Sequence, residues 1–308
     1  MHVRRPHSSP APQPRNRRLA LLLLAAVALP LAGLASCGGK SEPATSSPPA
    51  TASPTTSSSP TTSASPSSST TLQLSVYFMS SGKIAAGHRT VPKTKAVATA
   101  AVNQLLDGPT DAESSAGFTT ALPPGASVRS IRVTKGTAMV SLDAEILQLG
   151  QSNPEAEMAA LAQLTFTLTQ FPTVNGVEFS SGDARIAHVD GSSIDFTQPV
   201  HRADFENVAP AILIESPCVG DSAGSPLVIS GTANTFEATF TVELLDDSGK
   251  TLAKQAVTAT SGSGTRGTFQ ASIPFSTSAA AGTLVAYEVS QETGSHVHEV
   301  RVPLNFTP

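Results

Sequence analysis

Leu72-Gln73-Leu74-Ser75-Val76-Tyr77-Phe78 is where this chain begins to read as a folded protein. Apolar and polar residues alternate there, which is the two-residue period of a strand with one buried face. The segment before it has the opposite character. Residues 41–71 contain only Ser, Thr, Pro and Ala, apart from Glu42. Such a stretch buries too little apolar surface to offset the entropy of ordering it. We expect a tether, reaching from roughly 30 Å as a coil to about 100 Å when extended. Its Ser and Thr among Pro are also the composition of an O-glycosylated stalk.

Downstream of Phe78 the periods change in a definite order. Ser80-Ser81-Gly82 is a turn, and an extended segment runs on to Val91-Pro92. Thr94 to Leu106 places Val97, Ala98, Ala101, Val102 and Leu105 on one helical stripe, and Gly108-Pro109 stops it. Leu122-Pro123-Pro124-Gly125 turns the chain into two strands, Val128 to Thr134 and Ala138 to Leu142. Asn153-Pro154-Glu155 is a helix start with an Asn cap, Pro at the first position and a carboxylate at the positive dipole end. That helix should run to about Gln170 and bury Met158, Leu161, Leu164 and Leu168. Asn175 to Phe179 begins another strand. The order strand, helix, two strands, helix, strand predicts a two-layer α/β sandwich with both helices on one face.

From Val208 onward no helical period remains. Short alternating runs cover Ala211–Glu215, Leu227–Thr232, Phe236–Leu245, Thr251–Ala259, Thr268–Pro274, Thr283–Ser290 and Val297–Phe306. Asp246-Asp247-Ser248-Gly249 is a hairpin turn. Seven strands in about a hundred residues is the count of an immunoglobulin-like sandwich. The Cys pair and core Trp of antibody domains are missing. Val300, Val302, Leu304 and Phe306 should face its core. The fold class is therefore α+β: a two-layer α/β sandwich followed by an all-β immunoglobulin-like sandwich.

The first residues carry an address. Arg4, Arg5, Arg15, Arg17 and Arg18 precede an apolar run from Leu19 to Leu29, and small residues follow. This is the layout of a secretory signal. The run is short for a membrane span, and Pro30 interrupts it. Paired arginines raise twin-arginine export; the general route is favoured, because nothing implies a cofactor loaded in the cytoplasm. Leu34-Ala35-Ser36-Cys37 resembles the bacterial lipobox. The resemblance implies that Cys37 receives a diacylglyceryl thioether and becomes the first mature residue. Two acyl chains then anchor the protein stably, at about 0.8 kcal/mol per buried methylene. The reading divides the chain into a lipoprotein signal (1–36), a disordered tether (37–71), an α/β domain (72–205) and a β-sandwich (206–308).

Charge and cysteine content exclude several roles. Five of the 19 Lys and Arg lie before Cys37, and none of the 23 Asp and Glu do, so 14 positive and 23 negative side chains remain, a net of −9. An acidic exported body lacks the footprint of a nucleic-acid binder. Cys37 and Cys218 are the only cysteines. With Cys37 lipidated, Cys218 has no disulfide partner and reads as a thiol packed in the turn Ser216-Pro217-Cys218-Val219-Gly220. With no Trp and two Tyr, few side chains could stack on sugars.

Candidate chemistry is sparse. Asp143, Glu145, Glu155 and Glu157 are the densest carboxylates, and a carboxylate pair could serve glycoside hydrolysis. Helix N-terminal charge already accounts for Glu155 and Glu157. His296 and His298, two apart on a strand, should share a face, yet no third ligand at metal spacing is visible. His88, His188 and His201 stand isolated in sequence. No Gly-x-Ser-x-Gly elbow and no phosphate loop ending in Gly-Lys occur. We therefore expect no catalytic residue, no metal and no cofactor, with Cys37 lipidation as the one site.

Several stretches resemble known domains. Val76-Tyr77-Phe78, Leu105-Leu106-Asp107-Gly108-Pro109, Leu122-Pro123-Pro124-Gly125, Val140-Ser141-Leu142-Asp143 and Leu164 to Thr169 resemble the GerMN domain of spore-germination and envelope lipoproteins. Ser216-Pro217, Ile229 to Ala233, Phe236-Glu237-Ala238, Leu245 to Gly249 and Gly267-Thr268-Phe269 resemble the immunoglobulin-like Gmad domain that often follows it. The resemblance implies an envelope location and a sporulation or cell-wall association. It implies no established catalytic residues, and it makes self-association plausible. Three functions follow as expectations. The first is a non-enzymatic binding or assembly module, held on the outer face of the cell membrane, with an envelope protein, a second copy or the cell wall as partner. The second is a peptidoglycan hydrolase using accessible, suitably separated carboxylates. The third is a small-ligand sensor, marked by a deep apolar pocket between the domains.

Overall fold

The computed structural model describes residues 70–149, 153–190 and 192–307. The signal, Cys37 and nearly all of the tether lie outside the described residues.

The Leu72–Phe78 alternation forms the middle of β1 (Thr71–Ser80), which turns at Ser81-Gly82 into β2 (Lys83–Pro92). The short β3 (Phe118–Thr119) pairs with only the last two residues of β1. A second sheet holds β4 (Val128–Thr134), β5 (Thr137–Leu142), β6 (Gly176–Ser181) and β7 (Ala184–Arg185), with β5 and β6 parallel. The strands of the α/β domain thus fall into two hydrogen-bonded sheets. Among the described residues, four helices connect them: α1 (Val97–Leu106), α2 (Asp111–Ser115), α3 (Ala144–Leu147) and α4 (Pro154–Leu168).

Helix α4 packs against β1, α1 and β6, so it serves both sheets. Asn153 caps it as predicted, accepting from Ala156 N at 3.0 Å. Its polar residues have a structural reason. No described strand pairs with β1 along its Ser75–Tyr77 edge, and an unpaired buried backbone group is costly. Helix side chains supply what is missing. Thr167 Oγ1 accepts from Tyr77 N at 3.2 Å, and Gln163 Nε2 donates to Tyr77 O at 3.0 Å. Gln170, just past the helix, accepts from Ser75 N and donates to Ser75 O at 2.8 and 2.5 Å. Around these bonds Val76, Phe78, Leu105, Leu161, Leu164, Phe166, Val140 and Phe179 form one core.

The second domain is two facing sheets. One has the order β13-β10-β8, from β8 (Ile212–Ser216), β10 (Leu227–Ala233) and β13 (Gly267–Ile273). The other has the order β12-β11-β14-β15-β9, from β9 (Ser222–Ala223), β11 (Thr239–Asp246), β12 (Thr251–Thr258), β14 (Ala281–Val289) and β15 (His296–Phe306). All seven expected strands form, with short β9 in addition. Ile229, Phe240, Val242, Leu244, Phe269, Leu284, Val302, Leu304 and Phe306 fill the space between the sheets. The strand expected from Phe236 starts instead at Thr239. Glu237 and Ala238 take φ of 53° and 57°, which ends extended backbone and projects Phe236 outward.

Strand β8 belongs to both cores. Ile212 and Ile214 enter the second core, while the alternate residue Leu213 enters the first, together with Cys218.

Candidate functional site

The densest polar chemistry among the described residues lies where the two domains meet. Lys83 and Ile84, at the tip of the β1–β2 hairpin, hold the connecting segment. Lys83 Nζ donates to Asn207 O at 2.7 Å and Ile84 N to Val208 O at 2.8 Å. Glu206 then forms a two-pronged pair with Arg266 of the second domain, both bonds at 2.9 Å, and also accepts from Asn234.

Arg202, in a 3₁₀ turn over Arg202–Phe205, is the hub of the junction. Its guanidinium donates to Glu215 Oε1 at 2.7 Å, Tyr77 OH at 2.9 Å, Phe166 O at 3.0 Å and Thr169 Oγ1 at 2.8 Å. It also lies 4.9 Å from the ring centroids of both Tyr77 and Phe166. Tyr77 OH in turn donates to Glu215. Burial, with Glu215 adding to it and Arg202 opposing, pushes the Tyr77 phenol far above its ordinary range. Tyr77 therefore stays neutral and serves as a donor. A planar five-donor group on two aromatic faces suits arginine and not lysine.

A second polar cluster sits beside it. His88 on β2 places Nδ1 at 2.7 Å from Asp221 Oδ2, which also accepts from Cys218 N at 2.8 Å. His88, Cys218 and Asp221 bring one ligand atom each within 4.8 Å of one another. Cys218 is 1% exposed, and burial first, then Asp221, Glu113 and Glu215, push its thiol well above the ordinary value. It is no ready nucleophile at neutral pH. Arg89, next along β2, pairs with both oxygens of buried Glu113 at 2.7 Å. The isolation of His88 in sequence is thus corrected. Its partner lies 133 residues away, and no local pattern announces it.

The other sequence candidates are dispersed. Asp143 follows β5, just before α3, and pairs with Arg129 Nε at 2.5 Å and with Ser127. Glu155 and Glu157 stand in the first turn of α4, and Glu157 is buried. Burial, helped by Asp190, raises the Glu157 carboxyl. Asp143 is half-buried against Arg129 and Glu157 is buried, while Glu155 is exposed. His296 and His298 do not act as one face. His298 takes φ of 55° at a register shift between β14 and β15. His296 stacks on Tyr287 with centroids 3.5 Å apart, and His298 Nδ1 meets Glu288 at 2.5 Å. His188 lies near Asp190 and His201 near Asp204, both at the surface.

A cleft of about 380 Å³ also opens between the domains, with Ile84, Ala86, Phe118, Ile212, Ile214 and Val300 among its lining. No helix of the described residues is long and apolar enough to cross a membrane.

Two family models match the chain. Residues 75–186 match Germane, described as sporulation and spore germination. Residues 211–295 match Gmad2, the immunoglobulin-like domain of bacterial spore germination. Among curated proteins there is no match. Similar solved structures include the first GerMN domain of the sporulation protein GerM from Bacillus subtilis, at 21% identity, covering 42% of this chain and 98% of that one, TM-score 0.36. The tandem GerMN domains of the same protein match at 16% identity over 66% of this chain and 61% of that one, so under two thirds of it, TM-score 0.36. A putative lipoprotein from Clostridium perfringens matches at 19% identity over 45% of this chain and 93% of that one, TM-score 0.29. Residues 75–186 are accordingly a Germane domain, and residues 211–295 a Gmad2 immunoglobulin-like domain of bacterial spore germination.

Proposed function

We propose that this chain is a lipid-anchored protein on the outer face of the cell membrane that binds other envelope proteins and catalyses no reaction. The observation that carries the binding role is an apolar patch at one end of the Gmad2 sandwich. Phe236, Val289 and Val297 are exposed together around one shallow cleft, with Phe236 at 63%. A solvent-facing aromatic beside aliphatic side chains is what a protein interface buries. Glu288 organises the patch, accepting from Phe236 N at 2.8 Å and meeting His298. The partner is an envelope protein or a second copy, with the cell wall within the tether's reach.

Crosslinking pull-down from intact envelopes tests this. Phe236→Glu should lose the captured partners while its thermal midpoint stays unchanged; capture of the same set by that variant would sink the assignment. Asp143→Ala with Glu155→Ala should leave the cell phenotype intact. Soluble fragments released from peptidoglycan by wild type, and abolished by that pair, would overturn the non-enzymatic reading. Cys37→Ser should release the protein or leave it unprocessed. A variant still fully bound and correctly cleaved would refute the anchor.

The interdomain cleft supports a second reading, a sensor of a small apolar ligand. Its test is a compound screen by thermal shift. Val300→Trp, which fills the cleft, should abolish any midpoint rise; a rise that persists in that variant counts against this site.

A further inference from the structure

We propose that His88, Cys218 and Asp221 form a zinc site that staples the Germane domain to the Gmad2 domain. The three side chains offer nitrogen, sulfur and oxygen donors, the set that Zn²⁺ accepts. Their ligand atoms already lie within 4.8 Å of one another. A tetrahedral ion would take these three side chains and one water.

The Gmad2 half of the site is built as a chelating turn. Cys218 and Asp221 are three residues apart, the same offset as the Cys-x-x-Cys pairs of structural zinc sites. Gly220, at φ 81°, lets the chain turn back between them, and Asp221 N donates to Cys218 O at 3.1 Å. Strand β15 holds this turn from outside. Asn305 N donates to Asp221 O at 3.0 Å, Asn305 Nδ2 to Gly220 O at 2.8 Å, and Gly220 N to Pro303 O at 2.9 Å. The Germane half is one residue, His88, fixed on the paired strand β2. Both halves are therefore positioned before any ion arrives, as a precise site requires.

Asp221 already bridges the other two residues, with Oδ2 at 2.8 Å from Cys218 N and 2.7 Å from His88 Nδ1. Binding would release the Cys218 thiol proton to solvent. It would take His88 as neutral imidazole at Nδ1, with its proton on Nε2. The His88–Asp221 hydrogen bond would be lost, its two heavy atoms each taking a bond to the ion instead. Because the ligands come from both domains, the ion would strengthen the junction and not one domain alone.

The experiment uses the full-length protein in detergent, stripped with a chelator. Zn²⁺ is titrated in competition with a chromophoric chelator, and Co²⁺ serves as a spectroscopic probe. One equivalent of Zn²⁺ should bind and raise the thermal midpoint, and Co²⁺ should show a thiolate charge-transfer band. Cys218→Ser should remove that band. His88→Gln and Asp221→Asn should each weaken Zn²⁺ by about tenfold or more, since even supporting contacts are worth that much. His188→Ala, at a surface histidine outside the site, should leave Zn²⁺ binding unchanged. If Cys218→Ser fails to fold, the His88 and Asp221 variants decide. The proposal is overturned if wild type binds no stoichiometric Zn²⁺. It is overturned equally if both of those variants bind like wild type.

Discussion

A Cβ placed on Gly87 would lie 2.1 Å from Glu113 Oε1. A side chain on β2 at this point would have to displace the buried carboxylate. That carboxylate is fully employed. It takes both arms of Arg89 and accepts from Thr110 N at 2.8 Å, closing the capping box of α2.

Gly87→Ala should push Glu113 off Arg89 and destabilise the protein by about 1–3 kcal/mol, the usual cost of overpacking. Urea denaturation measures this. An unchanged midpoint would mean that α2 yields without cost.

Arg202→Met should be worse than removing any single partner. It leaves Glu215 only partly exposed and without its guanidinium. Losing one side of such a pair should cost about 2 kcal/mol or more. Tyr77→Phe removes one hydroxyl and should cost about 1 kcal/mol. Equal losses for the two variants would refute the hub role of Arg202.

Leu213→Ala removes a side chain of β8 from the Germane core, so we expect a loss of about 2–5 kcal/mol. A chain trimmed to residues 68–308 should still unfold in one transition, because the two cores share β8. Two resolved transitions in a calorimetric scan would contradict this. The trim keeps Thr70, whose carbonyl accepts from Lys93 N at 2.9 Å. Starting at Leu72 would forfeit that bond.

Two carboxylates should shift stability in opposite directions with pH. Burial disfavours ionised Asp221, but hydrogen bonds from His88 and Cys218 N outweigh it, and the carboxyl lies below its ordinary range. The unfolded chain then binds a proton more readily near pH 4, so stability falls on acidification below about that point. Asp221→Asn should flatten that part of the curve. Glu157 is raised, so the folded state holds its proton longer and stability is lost as pH rises through its folded value. Glu157→Gln should stabilise at pH 7 and make no difference at pH 3. A gain of equal size at both values would show that its charge is not the cause.

The regular elements were legible because their signals are local. Asn153-Pro154-Glu155 announces α4 within three residues, and the alternation from Val300 to Phe306 announces β15. Helix α2 was legible in principle too, since Thr110-Asp111-Ala112-Glu113 spells a capping box, but its five residues offer no apolar stripe. The junction was not legible. Arg202 finds Tyr77 across 125 residues and His88 finds Asp221 across 133, pairings that only the packed domains create. The bulge at His298 is a further case, because one left-handed residue undoes an alternation that sequence reads as continuous.

Leu213 and Cys218 also set an order of events. Residues 70–205 lack two side chains of their own core, so the Germane core is complete only once the first strand of its neighbour has docked. Maturation is then a single late step, and a chain interrupted before residue 213 carries an unfinished first domain as well as a missing second one.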